Sequence, residues 1–202
     1  MYFKLKKMNI AEIFYSLQGE GANVGKPAIF VRLAGCNMDC WFCDTDWKNG
    51  SEMSVTEILH QIENFPTNFI VWTGGEPTLQ LNNNILSHFS HYCNAIETNG
   101  TNPVPSKIDY IACSPKVSTE ILRQNFDFAD EFRFHYYDEN KNTLPKISDL
   151  PRADNYFLSP VMVGNDVFDP KNTENISSCI NFIKQNPQWR LSFQTHKFLK
   201  IM

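Results

Sequence analysis

Three cysteines within eight residues carry the sharpest chemical signal in this chain: Cys36-Asn37-Met38-Asp39-Cys40-Trp41-Phe42-Cys43, a C-x3-C-x2-C spacing. Thiolates are the protein ligands of iron–sulfur clusters, and a four-iron cubane takes four of them. Three local thiols therefore leave one iron open to a non-protein ligand. The competing assignment is structural zinc, which needs a closed tetrahedron of four protein ligands. Its fourth ligand would be a histidine or one of Cys93, Cys113 and Cys179. Those cysteines lie in apolar surroundings, where a cysteine is more often a small core residue. In a reducing compartment a tight cluster indicates metal or redox chemistry before it indicates disulfides.

Apolar runs suited to buried strands recur along the chain: Ile29 to Val31, Phe69 to Trp72, Ala95-Ile96, Ile108 to Cys113, Phe132 to Phe134, Tyr156 to Leu158, and Trp189 to Phe193. Helical patterns lie between several of them. Ser54 to Ile62 opens with the capping-box pattern Ser54-Val55-Thr56-Glu57 and sets Ile58, Leu59 and Ile62 on one face. Leu79 to Phe89 and Ile176 to Ile183 also place apolar residues at helical spacing. Strands alternating with helices predict βαβ units and a mainly parallel sheet. The 202 residues are short for an eightfold barrel of about 250. An α/β fold of about six βα units, a partial TIM-like barrel, fits better.

The polar signals fall just after the predicted strands. Gly35-Cys36 follows the first, Thr73-Gly74-Gly75-Glu76 the second, Glu97-Thr98-Asn99-Gly100 the third and Ser114-Pro115-Lys116 the fourth. His135, Ser159-Pro160 and Thr195-His196 follow later ones. In a parallel sheet such positions share one rim, where these folds place their active sites.

Composition excludes several classes. With 42% hydrophobic residues the chain is too apolar for disorder. No apolar run approaches the roughly 18 residues of a membrane span, and the charged N-terminus has no apolar segment behind it. A net charge of -4 gives no basic face for nucleic acid. These features predict a soluble cytoplasmic protein. Met1 to Lys7 read as a flexible extension and residues 8–202 as one domain.

The cysteine spacing, with aromatic Phe42 before the last thiol, resembles the radical S-adenosylmethionine (SAM) superfamily. Thr73-Gly74-Gly75-Glu76-Pro77 is similar to the glycine-rich segment of that superfamily. Further stretches narrow the match: Glu12 to Gly21, Phe30 to Asn37, Phe42-Cys43-Asp44-Thr45, Glu97 to Gly100, Ser114 to Lys116 and Gln194 to Lys197. Together they resemble the 7-carboxy-7-deazaguanine synthase family, from about Met8 to the C-terminus. The resemblance implies an open iron chelated by SAM, and cleavage of SAM to a 5′-deoxyadenosyl radical that abstracts hydrogen from the substrate. It implies conversion of 6-carboxy-5,6,7,8-tetrahydropterin to 7-carboxy-7-deazaguanine, a carbon–nitrogen lyase reaction on the route to queuosine. Ammonia is lost, SAM is regenerated and Mg²⁺ assists.

Carried over by position, the resemblance assigns the 4Fe–4S cluster to Cys36, Cys40 and Cys43, and a Mg²⁺ contact to Thr45. SAM contacts fall to Phe42, Cys43, Asp44, Gly75, Glu97, Ser114, Pro115, Lys116 and Ser159. Many relatives have Gln where Ser159 stands. Substrate contacts fall to Leu17, Gln18, Gly19, Glu20, Arg32, Thr73, His196 and Met202. By the resemblance Arg32 matches the ligand of the substrate carboxylate, for which a guanidinium fork is suited; the alternative for it is an ion pair with Glu20 or Asp39. Relatives commonly end in proline, and Met202 can keep only a backbone or carboxylate contact. The resemblance further implies a homodimer and an electron donor such as flavodoxin or ferredoxin. Two other classes stand beside this reading. One is an activating enzyme that places a glycyl radical on a protein partner, and the other is a zinc-stabilised binding module.

Overall fold

In the computed structural model, which describes residues 7–164 and 166–202, strands and helices alternate within two units. The expected N-terminal extension lies outside the described residues except for Lys7, which opens the first strand.

Among the described residues the first unit comprises 7–16, 27–98 and 102–111. It contains β1 (Lys7–Leu17, of which Leu17 belongs to the second unit), β2 (Pro27–Leu33), β3 (Ser51–Ser54), α1 (Val55–Ile62), β4 (Phe69–Gly74), α2 (Asn83–Leu86) and β5 (Cys93–Thr98). Strand order is β3-β1-β2-β4-β5. β3 pairs antiparallel with β1, while β2, β4 and β5 run parallel. In β4, Phe69 to Trp72 are all buried, as in a parallel strand covered on both faces. Each such side chain contributes about 1.5–3 kcal/mol by leaving water. Trp72 packs edge-on to Phe89 with centroids 4.9 Å apart, and its indole N–H donates to Asn94 Oδ1. The predicted capping box is formed: Ser54 Oγ accepts the Glu57 N–H, and Glu57 accepts the Ser54 N–H at 2.6 Å.

The expected helix from Leu79 to Phe89 is instead broken. Pro77–Leu79 and Ser87–Phe89 are 3-10 turns around the single turn of α2. Asn82 starts the chain afresh by accepting the N–H groups of Asn84 and Ile85. Short polar side chains offer the backbone such alternatives to helix.

The second unit holds residues 17–26, 99–101 and 112–202. Its elements are β6 (Tyr110–Cys113), which enters it at Ala112, then α3 (Thr119–Asn125), β7 (Phe128–Tyr136), β8 (Arg152–Pro160), α4 (Pro170–Gln185), β9 (Arg190–Leu191) and α5 (Thr195–Leu199). Strand order is β6-β7-β8-β9, and β6 with β7, β7 with β8 and β8 with β9 pair parallel. An aromatic ladder fills its core: Phe132 stacks on Tyr156, and Trp189 meets Tyr156 and Phe134 edge-on. Asn172, buried at the start of α4, accepts the Val163 N–H and donates to the Val163 and Asp166 carbonyls. Among the described residues no helix is long and apolar enough to cross a membrane.

Candidate active site

In the first unit the cysteine loop leaves β2, and backbone contacts fix where it starts. Gln80 donates to the Ala34 carbonyl at 2.7 Å and accepts the Asn9 N–H at 2.7 Å, which ties the end of β2 to β1. The Gly35 N–H donates to the Trp47 carbonyl. From the other side, the Gly75 and Glu76 N–H groups donate to the carbonyls of Leu33 and Gly35. A Cβ on Gly75 would stand 1.9 Å from the Gly35 carbonyl oxygen. Glycine there is thus demanded by the backbone leading into Cys36, in addition to any ligand approach. Glu76 is fully buried and accepts from Thr78 and Thr98, which joins this turn to the end of β5.

Cys36 and Cys40 are half-buried and Cys43 is exposed. The Cys43 N–H donates to the Cys40 carbonyl, and Cys43 Sγ lies 3.7 Å from the Thr45 carbonyl oxygen. Trp41 packs edge-on to Phe42, and Asp44 and Thr45 follow in the same loop. Among the described residues no three His, Cys, Asp or Glu side chains converge on a metal position. The donor set nevertheless fits an iron–sulfur cluster: three accessible soft thiols on one loop, whose entry is clamped by backbone. Of the scattered cysteines, Cys113 and Cys179 are buried core residues as expected, whereas Cys93, first in β5, is only half-buried.

Arg32 stands directly opposite Thr73 on the parallel pair β2 and β4. The guanidinium lies over the Phe14 ring at 5.0 Å and 3.8 Å from Glu12 Oε2. The carboxylate paired with Arg32 is therefore Glu12 on β1, in place of Glu20 or Asp39. Glu97 is half-buried near the end of β5.

In the second unit, Gln18 to Lys26 form a closed loop. The Gln18 N–H donates to the Lys26 carbonyl and the Gly25 N–H to the Gln18 carbonyl. Gln18 is buried, and its Oε1 accepts the Glu20 N–H. The Gly19 carbonyl accepts both the N–H and the hydroxyl of Thr195, which brings α5 and His196 onto the loop. Leu17 and Met202 are exposed.

Ser114, Pro115 and Lys116 follow β6. Lys116 Nζ donates to the Ser114 carbonyl at 2.9 Å and to His135 Nδ1 at 3.0 Å. An ammonium has only donors, so Nδ1 is the acceptor nitrogen of that ring. His135 lies opposite Ser159 on β8. Ser159 Oγ is buried with no hydrogen-bond partner among the described residues.

Residues 30–164 match the Radical SAM superfamily. A 7-carboxy-7-deazaguanine synthase of Bacteroides thetaiotaomicron is 36% identical over 98% of this chain and 99% of its own length. The enzyme of that name from Haemophilus influenzae is 39% identical over 96% of this chain and 93% of its own. The chain belongs to the 7-carboxy-7-deazaguanine synthase family. The crystal structure of QueE from Escherichia coli superimposes with a TM-score of 0.66 at 24% identity, over 93% of each chain. That likeness bears on the fold, an α/β partial TIM-like barrel of the radical SAM type. As a member of this synthase family the chain is a radical SAM enzyme whose cofactors are a 4Fe–4S cluster and SAM.

Sequence reasoning missed two charges on β7, Glu131 and Arg133, 2% and 1% exposed. Arg133 stands inside the apolar run Phe132-Arg133-Phe134 and Glu131 just before it. The available signal was a pair of opposite charges two residues apart, and hence on one face of a strand.

Proposed function

We propose that this synthase-family member converts 6-carboxy-5,6,7,8-tetrahydropterin to 7-carboxy-7-deazaguanine with loss of ammonia, using SAM catalytically. The observation that carries the reading is similarity to 7-carboxy-7-deazaguanine synthases over nearly the whole chain. When bound, the cluster and SAM supply hydrogen-atom abstraction from C6 of the pterin. The chain's own residues divide the remaining work. Cys36, Cys40 and Cys43 hold the cluster, and Phe42, Asp44, Gly75, Glu97, Ser114, Pro115, Lys116 and Ser159 border SAM. Lys116, held between the Ser114 carbonyl and His135, offers a fixed cation to a carboxylate. Arg32 grips the substrate carboxylate beside Thr73. Leu17, Gln18, Gly19, Glu20, His196 and Met202 meet the pterin, with Gln18 and Glu20 reading its amide and amino edge. Thr45 would offer Mg²⁺ one oxygen, and since a single hydroxyl is a poor sole ligand for this hard cation, the ion would bind together with the substrate carboxylate.

The reading carries with it a cytoplasmic homodimer of single-domain subunits. It takes electrons from flavodoxin or ferredoxin and has no nucleic-acid or membrane partner. The deciding experiment is an anaerobic assay with reductant, SAM, Mg²⁺ and 6-carboxytetrahydropterin. A 7-deazapurine product is expected. Its absence from protein carrying a full cluster removes the assignment.

A further inference from the structure

The buried charges of β7 have no part in the chemistry assigned above, yet they grip the loop that meets the substrate. Arg133 Nε lies 3.0 Å from Glu131 Oε1, and Arg133 Nη1 donates to Glu20 Oε2. Glu131 Oε2 accepts the Ala22 N–H at 2.7 Å. Between these anchors, Gly21 has φ +68°, and a Cβ on it would stand 2.0 Å from Glu131 Oε1. Ser192 Oγ accepts the Gly21 N–H at 2.9 Å. Three consecutive residues, Glu20, Gly21 and Ala22, are thus each tied to the second unit's core.

Such a core is expensive to build. Burial draws Arg133 below its ordinary value, and the neighbouring Glu20 carboxylate pushes it back up. Apolar residues of similar volume serve stability as well as a buried ion pair or better. The geometry of the loop is what the charges supply instead. A carboxylate has two oxygens with about four acceptor positions, so a guanidinium on Oε2 fixes the direction of the other oxygen.

We propose that Glu131 and Arg133 are positioning residues that lock Gln18 to Ala22 in the conformation that reads the pterin, presenting Glu20 to the N–H donors of its aminopyrimidinone edge. This rests on the functional reading above, in which that segment meets substrate.

The test compares cluster-loaded wild type, Arg133→Met and the double variant Glu131→Gln/Arg133→Met. Amide hydrogen exchange of the Gln18–Lys26 segment is measured without substrate, alongside substrate KM, kcat and substrate-independent SAM cleavage. The single variant strands a buried carboxylate and should melt earlier. The double variant removes both charges and should recover melting temperature. Its loop should still exchange about tenfold faster, with substrate KM up about tenfold and SAM cleavage within about twofold of wild type. A double variant that exchanges and binds substrate like wild type overturns the proposal and leaves a structural pair. Should the methionine variants not fold, Arg133→Lys, which keeps the cation but loses the fork, is read by the same criteria. If fully loaded wild type makes no 7-deazapurine, the functional reading fails and the substrate half of the proposal with it. Loop exchange then decides the locking half alone.

Discussion

Gly19 and His196 meet without room for a methyl group: a Cβ on Gly19 would lie 2.1 Å from His196 Nδ1 and 3.0 Å from its Cβ. Rotation of the imidazole tip cannot relieve both contacts. Gly19→Ala must therefore displace His196 or shift α5, whose Thr195 is bonded to the Gly19 carbonyl.

Gly19→Ala should raise substrate KM by about ten- to hundredfold, because small displacements at a reacting site cost that much. Overpacking should also destabilise the fold by about 1–3 kcal/mol. In Gly19→Ala/His196→Ala the imidazole clash is gone and only the 3.0 Å contact between the two Cβ atoms remains, so most of the melting temperature should return while KM stays high. Recovery of both together would make His196 a spacer with no part in substrate binding.

Gly75→Ala tests the clamp on the cysteine loop. The new Cβ would lie 1.9 Å from the Gly35 carbonyl oxygen, a backbone atom with no rotamer to yield. The expected loss is about 1–3 kcal/mol or more, with the displacement passed directly to Cys36. After anaerobic reconstitution the variant should hold well under half of the wild-type iron and sulfide, read by metal analysis and visible absorbance. Full cluster content would show that the loop entry tolerates movement.

The chemistry that depends on local spacing was legible in the sequence. Three thiols in eight residues and a glycine pair after a strand are short-range requirements, and the structure places both at strand ends. Ser54 and Glu57 likewise formed the expected capping box, since its two bonds span one turn. What escaped was set by distant partners. The edge pair of β1 and β3 was unseen because the burial of β1 alternates only in part, with Met8, Ile10 and Phe14 inside. Glu12 as the partner of Arg32 depends on the neighbouring strand. Glu131 and Arg133 looked like interruptions of an apolar run, because their purpose lies in residues 20–22.

Arg32→Ala separates substrate binding from structure. The Arg32 and Glu12 side chains are 32% and 39% exposed and 3.8 Å apart, so losing the pair should cost less than about 1 kcal/mol. Losing the fork for a substrate carboxylate should lower kcat/KM by about 10²-fold. Slow uncoupled SAM cleavage should persist with full cluster. A variant that loses cluster or fold would instead make Arg32 a structural arginine.

Cys179 should set a pH limit on the fold. It is 0% exposed on α4, and burial pushes its thiol from 9.0 up to about 12. The folded state therefore holds this proton where the unfolded chain releases it. That contribution is fully present below about pH 9 and is lost progressively as pH rises toward about 12. One proton corresponds to about 1.4 kcal/mol per pH unit. Urea midpoints of wild type should thus fall more steeply between pH 9 and 10.5 than those of Cys179→Ala, although the variant starts lower because of its cavity. Parallel slopes would mean that the thiol ionises without unfolding. The same burial predicts alkylation of cluster-free native protein: at pH 8 iodoacetamide should modify Cys36, Cys40 and Cys43 and spare Cys179, whose thiolate fraction there is about 10⁻⁴.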